Sequence, residues 1–198
     1  MIRLGEREAA CTYEDYCKLP EGAPYQLIGG QLVMTPAPGT YHQLISGKLE
    51  HLLMSFNDEK NAGVVLDAPV DVYLGESETY QPDIVFIGRD RKEIIEPGRI
   101  NGSPDLVVEI LSPSTAYYDL RKKFKVYEKS GVKEYWIVDP EEKSVQVFIL
   151  SNGRFALDQE VGMGAAAHSR LLKGFAVDLE SIFTVWTVLA PSSVNSRG

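Results

Sequence analysis

The sequence predicts a mixed α/β domain, an α+β arrangement built on a mixed sheet. Three observations carry that expectation. Apolar residues recur at helical spacing from Leu44 to Phe56. Two strand-like runs follow, Gln81-Pro82-Asp83-Ile84-Val85-Phe86-Ile87 and Pro104-Asp105-Leu106-Val107-Val108-Glu109-Ile110-Leu111. The second is near-continuously apolar, as in a central strand covered on both faces. A helical pattern up to Gly131 then leads into another strand, so helices and strands alternate rather than segregate.

Taken in order, Thr12 to Leu19 reads as a short helix stopped by Pro20. Tyr25–Ile28 and Gln31–Met34 flank Gly29-Gly30, a two-residue hairpin signal, because glycine accepts the positive φ of a primed turn. Thr40-x-x-Gln43 has the form of a capping box. Leu44, Ile45, Leu49, Leu52, Leu53 and Phe56 follow on one helical face, and Asn57 to Gly63 reads as a loop. Val64 to Leu74 reads as one strand, with Val70, Val72 and Leu74 alternating with polar neighbours. Gly75 to Thr79 is a turn, and Gly88 to Gly102 is irregular with a short helix near Arg91 to Ile95. After the central strand, Ser114 or Thr115 caps a helix running to Ser130. Leu120, Phe124 and Tyr127 mark its inner face, and Gly131 its C-terminal stop. Glu134–Val138 is a strand. Val145–Leu150 and Phe155–Gln159 form a hairpin across Ser151-Asn152-Gly153-Arg154. A last apolar segment covers Phe175 to Trp186. The order in the middle is helix, strand, strand, strand, helix, strand, with an N-terminal hairpin and C-terminal strands extending the sheet.

The 198 residues suit a single domain over 1–190, with 191–198 a disordered tail. No apolar run reaches the ~18 residues that span a membrane. The N-terminus shows no apolar leader, so the expected location is the cytoplasm. Cys11 and Cys17, six residues apart on or beside one short helix, match neither a zinc knuckle nor a redox pair and read as small buried hydrophobes. A net charge of −8 argues against a broad basic nucleic-acid surface. It leaves room for a local one, and basic residues do cluster in Arg121-Lys122-Lys123-Phe124-Lys125.

Glu109 is the most informative residue. An ionised carboxylate inside an apolar strand is costly unless a cation pairs with it or a metal binds it. Asp83 opens the preceding strand. If the two lie opposite one another, they can converge on one divalent ion, and a hard cation with carboxylate ligands suits phosphodiester hydrolysis. Asp105 shares the Glu109 face but lies about 13 Å along the strand, so it reads as a turn cap after Pro104. Lys123 has two readings: an i,i+4 ion pair with Asp119 on a helix flank, or an ammonium beside the metal that stabilises the phosphate. Lys122 and Lys125 suit phosphate-backbone contacts. His42 falls in the first turn of its helix and can face the site. His51 lies half a turn round from it, and His168 in a loop.

Together these motifs resemble the bacterial "putative restriction endonuclease" domain family of the PD-(D/E)XK nuclease superfamily. The pieces that carry the resemblance are Tyr25-Gln-Leu-Ile-Gly-Gly, Met34-Thr-Pro-Ala-Pro, His42-Gln43, Leu66-Asp-Ala-Pro-Val-Asp-Val, Gln81-Pro-Asp-Ile-Val-Phe and Pro104-Asp-Leu-Val-Val-Glu-Ile-Leu-Ser-Pro-Ser-Thr. They continue through Asp119, Lys123-Phe124, Tyr127 and Gly131-Val-Lys-Glu-Tyr-Trp-Ile-Val-Asp139. The resemblance implies a restriction-endonuclease-like core of order αβββαβ and a DNA endonuclease using Mg²⁺ or Mn²⁺. Asp83 and Glu109 would be metal ligands and Lys123 the catalytic lysine. Leu111 occupies the place where the strand signature has lysine, so the following helix supplies it. By analogy a homodimer would cut two strands. Gln26 stands where the family commonly has an acid; its amide oxygen could still coordinate, without charge. Gln26, His42 and Asp119 are thus expected accessories. The competing expectation is an inactive nuclease-like domain that binds nucleic acid or a protein partner. A phosphodiesterase for small substrates would require a closed pocket.

Overall fold

The structure, a computed structural model, describes residues 10–112, 116 and 118–184. Its first helix, α1 (Tyr13–Tyr16), is only one turn long. Thr12 accepts the Asp15 N–H, and the Asp15 carboxylate accepts the Thr12 N–H. The chain's capping box therefore forms here and not at Thr40. One turn has room for one buried side chain, Tyr16. Cys17 ends the helix exposed and Cys11 is half-buried ahead of it, so neither is the buried hydrophobe expected.

The hairpin of β1 (Tyr25–Ile28) and β2 (Gln31–Met34) forms as predicted, with Gly29 and Gly30 at φ 60° and 72°. The long helix α2 (Thr40–Lys60) starts after Gly39 with no side-chain cap and continues past the expected loop at Asn57. There the Asn57 amide accepts the Gly63 N–H and donates to the Gly63 carbonyl, closing the turn back into the sheet.

The run Val64–Leu74 is two strands and not one. β3 (Gly63–Asp67) and β4 (Val72–Gly75) lie in different sheets. Between them the chain turns through Pro69, which has no N–H to donate to a ladder and follows a cis peptide bond. β5 (Glu78–Tyr80) occupies part of the segment expected to be a turn, and the strand expected from Gln81 begins only after Pro82, as β6 (Ile84–Gly88). A 3₁₀ turn (Arg89–Ile94), β7 (Ile95–Glu96) and β8 (Arg99–Asn101) occupy the segment read as irregular. β9 (Leu106–Ile110) is buried throughout. A π-helical turn (Tyr118–Lys123) leads into α3 (Phe124–Ser130), which Gly131 ends at φ 88°. β10 (Glu134–Asp139) follows. β11 (Ser144–Ser151) and β12 (Arg154–Val161) form the predicted hairpin. β13 (Ala166–His168) includes a histidine expected in a loop; β14 (Ala176–Asp178) and α4 (Leu179–Phe183) complete the fold. The expected cap at Ser114 or Thr115, the end of the last apolar segment at Trp186 and the tail 191–198 lie outside the described residues.

Six strands form the central sheet in the order β12-β11-β10-β9-β6-β3. β9 and β10 are parallel; β6 is antiparallel to β3 and β9. The mixed sheet and the order α2-β3-β6-β9-α3-β10 match the expected core, with the β4–β5 excursion inserted. The N-terminal hairpin does not extend this sheet. It joins a second one, β2-β1-β5-β4-β8-β7.

Strand alternation distributes the core between two faces. Leu106, Val108 and Ile110, with Ile84, Phe86, Trp136 and Val138, pack against Ile45, Leu49 and Leu53 of α2 and against Leu179, Ile182 and Phe183 of α4. Val107, with Val85, Ile87, Tyr135 and Ile137, packs against the second sheet and Tyr127 of α3. Glu109 belongs to this second face. Leu120, expected on the inner face of its helix, is 42% exposed, whereas Lys123 is buried. A π-turn holds one more residue than an α-turn, which displaces the residues before it from the α3 face.

Candidate active site

The β6–β9 register pairs Ile84 with Val108 and Val85 with Val107. One residue further, it carries Asp83 to the place across from Glu109. Asp83 is anchored on both sides. Its carbonyl accepts the Ala68 N–H at 3.0 Å, and its carboxylate Oδ2 accepts the Ile110 N–H at 2.7 Å. Pro82 offers no N–H, so the chain leaves the ladder here and the carboxylate takes over a strand hydrogen bond.

His42 enters from the first turn of α2. Its Nε2 lies 3.1 Å from the Ile110 carbonyl and 3.3 Å from Asp83 Oδ2. A nitrogen facing a carbonyl oxygen must carry a proton to bond it, so Nε2–H donates there, beside the carboxylate.

Glu109 is 3% exposed and its Oε1 takes two donors, Lys123 Nζ at 2.9 Å and the Tyr127 hydroxyl at 2.7 Å. Lys123 and Tyr127 are one helical turn apart at the entry to α3, so one face of the helix delivers both. Lys123 thus makes a buried ion pair with Glu109; the Asp119 side chain, its other expected partner, lies outside the described residues. Tyr127 had been read only as an apolar anchor. Its four-residue spacing from Lys123 is the signal that could have placed it at the carboxylate.

Gln26 of β1 is 3% exposed, and its Oε1 accepts the Gln81 N–H at 3.0 Å. Gln81 is itself held, its amide donating to Asp71 Oδ1 at 2.9 Å; the same oxygen accepts the Tyr16 hydroxyl at 2.9 Å. Burial, then the Asp71 charge, push the Tyr16 phenol well above its ordinary range, so it stays a protonated donor. This Tyr16–Asp71–Gln81 network joins residues far apart in the chain and was not foreseen.

Gln26, His42, Gln81, Asp83, Glu109 and Lys123 line one cavity of about 550 Å³. Pro24, Pro36, Pro38 and Pro69 form part of its wall. The structure therefore brings together Asp83, Glu109, Lys123, Gln26 and His42. It leaves Lys122 and Lys125 outside: Lys122 lies over the Tyr118 ring at 5.8 Å, and Lys125 is exposed. His51 is exposed on the outer face of α2.

Asp105 is set apart, as expected, but it is no cap for the turn after Pro104. It is 2% exposed, accepts the Gly88 N–H at 2.7 Å, and pairs with Arg91 and Lys133, each at 2.8 Å. Burial alone would raise its carboxyl. Lys133, the Gly88 N–H and Arg91 together outweigh burial and hold it below the ordinary carboxylate range.

Among the described residues three carboxylates line this cavity, Asp67, Asp83 and Glu109, against the single ammonium of Lys123. That excess and those oxygen donors fit a hard divalent cation. Among the described residues no three His, Cys, Asp or Glu side chains converge as a metal cluster. Asp83 and Glu109 would hold such an ion with water or substrate oxygens completing its shell.

Residues 12–180 match the Uma2 family, described as "Putative restriction endonuclease". The chain is a member of the Uma2 family. A crystal structure titled as a putative nuclease belonging to DUF820, from Anabaena variabilis, superposes on this Uma2 protein with a TM-score of 0.73. It covers 88% of this chain and 98% of that one, at 22% identity. That likeness shows the same mixed α+β fold. An uncharacterized protein of Synechocystis, sll1609, is 26% identical over 117 residues, which are 58% of this chain and 65% of the relative's length. The family description makes this Uma2 protein nuclease-like. Among its described residues no helix is long and apolar enough to cross a membrane.

Proposed function

We propose that this protein is a divalent-metal-dependent DNA endonuclease that hydrolyses phosphodiester bonds, with Asp83 and Glu109 as ligands for Mg²⁺ or Mn²⁺. The observation that carries the reading is the meeting of these two carboxylates, on neighbouring strands, with the buried ammonium of Lys123 in one cavity. A bound cation of this class supplies an activated water and offsets charge on the phosphate.

The remaining work falls to the chain's own groups. The Ile110 N–H and His42 fix Asp83 in one orientation. Tyr127 fixes Glu109 by donating to the same oxygen as Lys123. Lys123 Nζ, beside Glu109, offers positive charge to the phosphoryl oxygens. Asp119 stands four residues before Lys123 and is the further acid to test. Lys122 and Lys125, outside the cavity, are left with backbone contacts to nucleic acid beyond it. Two such sites in a homodimer would address two strands.

A specific observation favours the second reading, an inactive nuclease-like domain that binds nucleic acid or a protein. Glu109 is already neutralised by Lys123 and takes a further hydrogen bond from Tyr127, so this carboxylate is satisfied without metal. The test is cleavage of supercoiled plasmid in Mg²⁺ or Mn²⁺ by the wild type and by Glu109→Ala, with Mn²⁺ calorimetry alongside. The wild type should nick the plasmid and Glu109→Ala should not. No cleavage and no heat of Mn²⁺ binding would move the protein to the second reading. Hydrolysis of bis(p-nitrophenyl) phosphate without plasmid cleavage would move it to a phosphodiesterase for small substrates.

A further inference from the structure

Gln26 stands where the resemblance puts an acid, and its surroundings decide which end of the amide meets the cavity. The Gln81 N–H is a donor, so the atom facing it at 3.0 Å must be the amide oxygen. Gln81 cannot swing away: its side chain is held by Asp71, which Tyr16 holds in turn. Pro82 follows it and fixes the backbone there. One lone pair of the Gln26 oxygen is thus committed to the protein, and the bond turns Nε2 away from Gln81. Among the described residues nothing accepts from its Nε2, yet the side chain is 3% exposed and lines the cavity. An N–H₂ group at a cavity wall with no protein acceptor is available to donate to an oxygen that enters the cavity.

Resting on the endonuclease reading, we infer that Gln26 is a substrate-binding donor, its Nε2–H holding a non-bridging oxygen of the phosphate, and is not a vacant metal-ligand position. Among the described residues three carboxylates and one ammonium line the same cavity, so an entering phosphate meets mostly negative charge. A donor at residue 26 offsets part of that repulsion; an acid there would add to it. The amide also selects for an anionic oxygen acceptor, which a metal ion does not offer.

Gln26→Glu separates the possibilities, because glutamate still accepts the Gln81 N–H while replacing the donor with a charged acceptor. Binding of a short fluorescein-labelled oligonucleotide, read by anisotropy in EDTA, should weaken about tenfold in Gln26→Glu. That corresponds to the loss of one charge-assisted hydrogen bond. With Mn²⁺, the KM for bis(p-nitrophenyl) phosphate should rise by a similar factor, with kcat within about threefold. Gln26→Met, which removes the donor without adding charge, should weaken the oligonucleotide less than glutamate does. It also reads the donor if the glutamate variant fails to fold. Unchanged oligonucleotide binding in both variants overturns the inference and leaves Gln26 a tie for Gln81. A raised kcat/KM in Gln26→Glu overturns it in favour of a vacant ligand position. If the wild type hydrolyses nothing in Mn²⁺, the endonuclease reading fails, while the EDTA measurement still decides the role of Gln26.

Discussion

The bond from Lys123 to Glu109 is the most consequential contact at the residue scale. Both side chains are almost wholly inaccessible, at 2% and 3% exposed, and each neutralises the other. Removing one partner strands a buried charge, which costs about 3–5 kcal/mol. Lys123→Met should therefore lower the urea-unfolding free energy by that order. Adding Glu109→Gln should recover at least about half of the loss, since the buried charge goes with it. A Lys123→Met protein as stable as wild type would show that Glu109 is protonated or otherwise satisfied, and the ion-pair account would fail. The pair was only partly legible beforehand. A carboxylate in an apolar strand announces a partner, but spacing offered Lys123 both a flank ion pair and a place at the site. Helix phase, which the π-turn sets, is what brings the Lys123 ammonium to Glu109.

At the scale of elements, the site depends on how β6 is clamped between β3 and β9. Gly63 begins β3 and pairs with Gly88 at the end of β6. A Cβ at Gly63 would lie 2.1 Å from the Ile87 carbonyl oxygen and 2.8 Å from the Phe86 ring. A backbone oxygen within a sheet cannot give way by so much, so the strands must part. Gly63→Ala should destabilise the protein by at least about 2 kcal/mol, measured as the shift in the urea midpoint. A variant within about 0.5 kcal/mol of wild type would mean that the β3–β6 pair repacks freely. Most elements were readable from sequence because periodicity and turn residues act locally. The Gly29-Gly30 and Asn152-Gly153 hairpins form where their turn residues put them. The exceptions have local causes as well. Pro69 divided an apparent single strand, and Asn57 carried α2 beyond its expected end.

Across the whole molecule, Asp105 ties the far end of the central sheet together. It joins the last residue of β6 (Gly88), Arg91 of the 3₁₀ turn and Lys133 before β10. Its carboxyl is held below the ordinary value, so the folded state binds that proton less readily than the unfolded chain. The stability it contributes is complete above the unfolded carboxyl's pKa of about 4. It is lost as pH falls through the lower folded value. Asp105→Asn should be less stable than wild type at neutral pH, and its unfolding free energy should fall less steeply between about pH 5 and pH 2. Urea midpoints taken across that range check both. A variant with the wild-type acid limb would assign acid sensitivity to other carboxylates.

The sequence by itself determined the class of fold, the αβββαβ order and the need of Glu109 for a partner. Those follow from burial and backbone chemistry that act over a few residues: an apolar run with a charge inside it, paired glycines, a proline before Asp83. Tertiary structure alone decided what those residues do to one another. It turned the Gln26 oxygen onto Gln81, set Tyr127 beside Lys123 on Glu109, placed the N-terminal hairpin in a second sheet and left Lys122 and Lys125 outside the cavity. Each of those outcomes depends on the packing of elements far apart in the chain, where register, helix phase and the available donors fix direction. Spacing along one helix can put Tyr127 a turn from Lys123, but it does not say which carboxylate the two meet.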